Sequence, residues 1–236
     1  MNPLLDLPIS AIYEALLLMS ALAERACTNA LKALNHRDDA FAKRVEEDEV
    51  QIDEMEIRID EMVMTYMATR GPVATDCRFS MVASRISSDI ERVGDEAANI
   101  ARRVVALNKQ AEFQPPGQIT KMSEDAWKMF RDSMTAFANK DPELALDVIE
   151  RDQGVDIMFA EATERLTAQM ENDTASVNPG LHLLGIVKSV ERIADHAVHI
   201  AEDVYFLHRA RDIRHGRNRP GEEPENRNPT TAAPPQ

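Results

Sequence analysis

Two stretches a hundred residues apart, DIERVGDEAANIARRV at 89–104 and SVERIADHAVHIAEDV at 189–204, align without a gap. They agree at Glu91 and Glu191, Arg92 and Arg192, Asp95 and Asp195, and then at Ala97, Ile100, Ala101 and Val104 with their partners. A chain that repeats itself this way is built from two like halves. Along the second copy and the turn before it, Ile186, Val190, Ile193, Ala197, Ile200 and Val204 stay within about 40° of one line when the chain turns about 100° per residue, so the segment is an amphipathic helix. Glu191, Asp195 and His199, each four residues from the last, form a column at about 140° to 220° from that line and face away from the apolar stripe. Alone, such a column is an ordinary solvated face, because 41 acidic residues in a chain of 236 produce about three acid-x-x-x-Asp pairs by accident.

The repeat removes accident as the explanation. A weaker match, shifted by 103, sets Asp38–Asp53 against Asp141–Asp156, with Ala42 on Ala145 and Val45 on Val148. In that register Glu49-x-x-x-Asp53 falls on Asp152-x-x-x-Asp156. Each half therefore carries two acidic pairs, one on its second helix and one on its third. The second-helix acids sit at the shoulder of their apolar stripe, where antiparallel packing brings them to the acidic edge of the third helix. Gly94, Ala98 and Ala101, with Ala194 and Ala201 in the second copy, supply a small-residue edge for close helix approach.

Helix boundaries follow from local chemistry. Pro8, Asp141-Pro142 and Asn178-Pro179 are helix starts, and Gly71-Pro72 and Pro115-Pro116-Gly117 are breaks. Six helices are predicted, at about 8–36, 38–69, 73–109, 119–139, 141–172 and 179–210. Only 8 Gly and 5% aromatic residues agree with helix throughout. The expected fold is all-α: two pseudo-twofold-related three-helix bundles, at 8–112 and 118–212, followed by a disordered tail at 215–236 whose Pro, Asn and charge cannot offset ordering entropy.

The formal charge of −14 repels nucleic-acid phosphate and argues against a nucleic-acid partner. ALLLMSALA at 15–23 is too short to span a bilayer, and the first residues lack a secretory pattern, so a cytoplasmic location is expected. Cys27 and Cys77 have no metal spacing and read as small, reduced core or boundary residues. The 12 Met and Trp127 fit apolar stripes.

RVEEDEVQIDEMEIRID at 44–60, the two long repeats and ARDIRH at 210–215 together resemble the PhoU family of phosphate-transport regulators, from about residue 10 to 215. The resemblance implies paired three-helix bundles and E(D)xxxD motifs that hold metal clusters on the bundle surface. It implies partners too: the phosphate-specific ABC transporter with its ATPase subunit, and a sensor histidine kinase. Through them the family limits phosphate uptake and keeps the phosphate-starvation regulon silent when phosphate is plentiful. A homodimer is expected, with contact to the membrane through protein partners only. Two positions depart from the family pattern: Ala194 stands in place of the usual Gly, and His199 in place of the usual Asn, which is kept at Asn99.

Gathered carboxylates repel, so protons or a cation must join them. The candidate metal ligands are Glu49, Asp53, Glu91, Asp95 and Asn99 in the first half and Asp152, Asp156, Glu191, Asp195 and His199 in the second. The expected cofactors are metal cations in multinuclear sites, iron, Mn, Mg or Zn, with His199 favouring a transition metal in the second. Arg92 and Arg192 point about 100° away from the motif Glu and are expected to pair with acids on other helices. His196 is expected to pack at a helix boundary, and His182, His208 and His215 have no acidic column around them. No nucleotide loop, nucleophile triad or zinc-cysteine cluster is present, so a non-enzymatic adaptor is expected. The alternative is a metal-binding helical protein with a storage or carboxylate di-metal redox role. It lacks the Glu-x-x-His motif of that class, since no His has Glu three residues before it.

Overall fold

The computed structural model describes residues 9–110 and 117–214. Six α-helices fill them: α1 (Ile9–His36), α2 (Asp39–Arg70), α3 (Ala74–Asn108), α4 (Gly117–Asn139), α5 (Pro142–Asn172) and α6 (Val177–Arg209), with a 3-10 turn at Thr174–Ser176 before α6. The Pro8 start, the Pro115-Pro116 break and the tail at 215–236 lie outside the described residues.

Helix ends carry the chemistry expected of them. Asp38 accepts the Ala40 N–H at 2.8 Å to open α2, and Asp141 accepts the N–H groups of Glu143 and Leu144, both at 3.0 Å, to open α5. Gly71 closes α2 in the left-handed region, at φ 53°. One start differs from expectation. Asp173 caps the 3-10 turn by accepting the Ala175 N–H at 3.0 Å, and that turn runs directly into α6 at Val177, two residues before Pro179. Pro179 then sits in the first helical turn, where a missing N–H leaves no bond unmade.

Helices α1, α2 and α3 pack as one three-helix bundle, and α4, α5 and α6 as the other; α3 against α6 and α1 against α4 join them. The apolar faces merge into one core that includes Leu16, Met19, Ile52 and Ile90 from the first bundle and Met122, Phe130, Phe137 and Ile193 from the second. Trp127 and Cys27 are buried in it, and burial pushes the Cys27 thiol far above its ordinary value. Cys77 is half-buried, and neither cysteine is in a disulfide. Among the described residues, no helix is long and apolar enough to cross a membrane.

The α3–α6 seam positions everything that follows. Arg85 pairs with Asp203 at 3.1 Å, Asp89 with His196 at 2.8 Å and Glu96 with Arg192 at 2.8 Å. Arg103 lies over Gly185, where an added Cβ would stand 2.1 Å from the guanidinium carbon. The α6 partner number falls as the α3 number rises, so the two helices run antiparallel. Exchanging the halves by the hundred-residue register sends Arg85–Asp203 onto Gly185–Arg103 and Asp89–His196 onto Ser189–Glu96. The seam therefore maps onto itself, as a twofold axis between like halves requires.

The same registers explain the Gly-to-Ala departure at Ala194. A Cβ on Gly94 would meet Ile52 Cδ1 at 2.9 Å and Cγ2 at 3.3 Å. In the second half Gly94 becomes Ala194 and Ile52 becomes Val155, both buried. The methyl gained on one helix is lost from the other. Gly94→Ala should therefore destabilise the wild type by about 1–2 kcal/mol through overpacking. In an Ile52→Val background the same change should be neutral or stabilising, because helix propensity then dominates. Urea unfolding of the four proteins checks this; a Gly94→Ala cost that is equal in both backgrounds would refute the compensation.

Candidate functional site

The acidic edges of α2 and α3 meet as antiparallel packing of neighbouring helices dictates. Asp53 from α2 and Glu91 and Asp95 from α3 each place a carboxylate oxygen within 4.8 Å of the other two. The Glu91 side chain is only 16% exposed. Burial, then Asp95, push its carboxyl from 4.5 up to about 7, with Glu56 and Asp53 adding to the rise and Arg92 opposing it. Asp53 is raised by burial and by Asp95. Glu56 is raised by burial and by Asp60, partly offset by Ser88 and Arg92. Glu56, three residues beyond Asp53 and so on the same helix face, belongs to this acidic surface although the acid-x-x-x-Asp pattern does not reach it.

Two expected ligands lie elsewhere. Arg102 Nη1 donates to both Glu49 oxygens, at 3.2 and 3.4 Å, and its Nη2 donates to Asn99 Oδ1 at 2.9 Å. One guanidinium holds Glu49 and Asn99 together and keeps both out of the triad. Arg92 also departs from expectation. Instead of reaching another helix, its Nε lies 3.3 Å from Glu91 Oε2 and its Nη1 3.5 Å from Asp95 Oδ2. The side chain bends back along its own helix, but at 55% exposed it is screened by water. Glu91 Oε2 is buried and has no hydrogen-bond partner, since the Arg92 approach lacks bonding geometry.

That orphaned oxygen tests whether a cation suits the site. A buried acceptor without a donor is costly, and three carboxylates with a deprotonation held near neutrality attract a positive charge. An all-oxygen donor set fits a hard cation such as Mg2+ or Mn2+, or iron, better than Zn2+, which favours nitrogen and sulfur.

The second half is arranged differently. Burial, followed by Asp156, Asp195 and Glu191, pushes the Asp152 carboxyl from 3.8 up to about 6, and Asp195 is raised by burial and Glu191. Asp152 therefore lies within reach of the charges of Asp156, Asp195 and Glu191. Among the described residues, however, they do not form a second set of three oxygens within 4.8 Å. Lys188 Nζ donates to both Glu191 oxygens at 2.8 and 2.6 Å; its counterpart in the first half is Ser88. Arg192 crosses to Glu96 on α3, as expected of an inter-helix pair. His199 does not complete this column. Its Nδ1 turns to Asp89 Oδ1 on α3 at 3.4 Å, beside His196 Nδ1 at 2.8 Å from the same oxygen. His196 is thus a hydrogen-bond partner of Asp89 rather than packing alone.

A family model described as the PhoU domain matches residues 16–104 and again residues 119–204. The chain belongs to the PhoU family. Each PhoU domain match covers one bundle, α1–α3 or α4–α6, so each copy of the domain carries one pair of acidic helix edges. Among PhoU relatives, the "phosphate-specific transport system accessory protein PhoU homolog" of Pseudomonas aeruginosa is 37% identical over 218 residues, 91% of this chain and 90% of the relative. The protein of the same description from Xylella fastidiosa is 35% identical over 202 residues, 86% of this chain and 84% of the relative. The crystal structure of PhoU from Pseudomonas aeruginosa superposes with a TM-score of 0.83 at 35% identity, covering 86% of this chain and 98% of that one. That of the phosphate transport system regulatory protein PhoU from Streptococcus pneumoniae gives 0.80 at 25% identity, covering 88% and 98%.

Proposed function

We propose that this protein is a non-enzymatic regulator of phosphate uptake that joins the ATPase subunit of the phosphate-specific ABC transporter to its sensor histidine kinase and keeps the phosphate-starvation response silent when phosphate is plentiful. The observation that carries this reading is family membership over most of the chain, with relatives named as accessory proteins of the phosphate-specific transport system. The net charge of −14 suits contact with the transporter's cytoplasmic face through protein rather than through anionic lipid.

In this reading Asp53, Glu91 and Asp95 hold a hard divalent cation or iron, in company with the Asp152, Asp156, Glu191 and Asp195 surface on the other bundle. The cation supplies positive charge that offsets carboxylate repulsion and stiffens the α2–α3 edge. The protein works as a homodimer. An exposed row on α2, Val50, Ile57 and Met64, spaced by seven residues on one helix line, supports self-association.

Alkaline phosphatase activity in phosphate-replete cells lacking this gene tests the proposal. Activity should be high without the gene and fall to background when the wild-type gene is returned. Low activity in the deletion strain would sink the repressor reading. A folded Asp53→Asn/Glu91→Gln/Asp95→Asn variant that fails to restore silence would tie repression to the acidic site; full silencing would assign the site to stability alone.

A further inference from the structure

The cluster of Asp89, His196 and His199 belongs to neither acidic edge. Asp89 leaves α3 two residues before Glu91, and the two histidines leave α6 three residues apart, on one face. Both present the same ring nitrogen, Nδ1, to the same carboxylate oxygen. The three ligand atoms lie within 4.8 Å of one another. Two donors bound to one cation at about 2.0–2.2 Å stand about 3.0–3.4 Å apart in tetrahedral or octahedral geometry, and the nitrogens stand 2.8 and 3.4 Å from Asp89 Oδ1. Both nitrogens thus stand near coordination-sphere spacing from the Asp89 oxygen and within 4.8 Å of each other.

Burial divides the site usefully. Asp89 and His196 are 17% and 14% exposed, whereas His199 is 56% exposed, so an ion would have a fixed floor and an open approach. The surroundings favour a cation: Asp195 and Glu202 act on His199 from its own helix, and Arg85 is engaged by Asp203. Among the described residues the site also exists once. Exchanging the halves puts Ser189, Glu96 and Asn99 at the corresponding positions, where Asn99 Nδ2 donates to Glu96 Oε2 at 3.3 Å and no imidazole is present. The duplicated scaffold thus carries two nitrogen donors on one side only.

We propose that Asp89, His196 and His199 form a mononuclear site for a borderline divalent transition ion, of the Zn2+, Co2+ or Fe2+ kind, which spans the α3–α6 seam and ties one bundle to the other. Two imidazoles and a carboxylate select such an ion over Mg2+ or Ca2+ and leave positions for water or an external ligand. The site does not depend on the phosphate-regulation reading and shares no ligand with the Asp53, Glu91 and Asp95 triad.

The test uses the tag-free full chain, stripped of metal and titrated with Co2+ alone. Proton NMR of the paramagnetic complex detects the ring N–H of any histidine bound to cobalt. In wild type the imidazole site should take up one Co2+ and show two such shifted N–H signals, and in Asp53→Asn/Glu91→Gln/Asp95→Asn, which removes the carboxylate site's share of the cobalt, the same two signals should remain. His199→Asn places on α6 the residue that α3 already carries at its equivalent position, at a site open to solvent, so it should fold. It should remove one signal and weaken binding at least about tenfold. Asp89→Asn should weaken binding by a similar factor while both rings remain. Absence of shifted imidazole signals in folded wild type, or Co2+ affinity unchanged by His199→Asn, would overturn the site.

Discussion

Stripped of metal, Glu91→Gln should unfold at a higher temperature than wild type at pH 8. Ionised Glu91 lies among Asp95, Asp53 and Glu56 with one oxygen buried and unbonded, and the neutral amide removes that charge. The carboxyl titrates at about 7 in the fold against 4.5 when unperturbed. A group whose folded value is raised favours the fold in its protonated form. Its stabilising contribution is therefore full below about pH 4.5 and lost as pH rises through about 7. Metal-free wild type should gain stability between pH 8 and pH 5, while Glu91→Gln should gain less. After allowance for screening at a partly wetted edge, the difference at pH 8 is about 1–2 kcal/mol, or about 2–8 °C in midpoint for a chain of this size. Mn2+ or Mg2+ should raise the wild-type midpoint and leave the variant nearly unmoved. Melts followed by circular dichroism at the two pH values, with and without metal, give the answer. A variant no more stable than wild type at pH 8 would mean that Glu91 is not held under charge repulsion.

A larger loss is expected from Phe130→Ala. Phe130 leaves the middle of α4 and is fully buried, as is Phe137 two turns later. Truncation removes a ring from a core that both bundles share, and neighbours on rigid helices cannot close the cavity. The cost is about 3–5 kcal/mol, a large part of the 5–15 kcal/mol or so that holds an ordinary domain folded. Urea unfolding should show a lower midpoint with an unchanged slope. A loss below about 1 kcal/mol would contradict the packing of α4 against α6.

Much of the fold is legible because its instructions are local. Asp38, Gly71, Asp141 and Pro142 set helix ends by bonds to their own neighbours, and the apolar stripes name the faces that pack. The start of α6 was less so, because Asp173 acts through a 3-10 turn rather than through the Asn178-Pro179 pair. The candidate site is a different matter. The duplicated acids announce themselves, and Asp53, Glu91 and Asp95 do converge. Arg102, which takes Glu49 and Asn99, and Asp89, which takes His199, act through contacts between helices that no spacing within one helix encodes. A signal existed for Asp89: once the repeated helices are laid antiparallel about the axis, position 89 falls opposite 199, with 196 about one turn away.

The self-mapping of the α3–α6 seam also bears on how such a molecule can change. In a true homodimer every substitution at a symmetric contact is made twice, so a new pair must satisfy both copies at once. Joining the halves in one chain lifts that restriction. Arg85 and Asp203 can form an ion pair while the mirrored positions hold a glycine and an arginine stacked over it. The inherited symmetry supplies a stable frame, and the covalent join lets one side of it specialise without asking the other to follow.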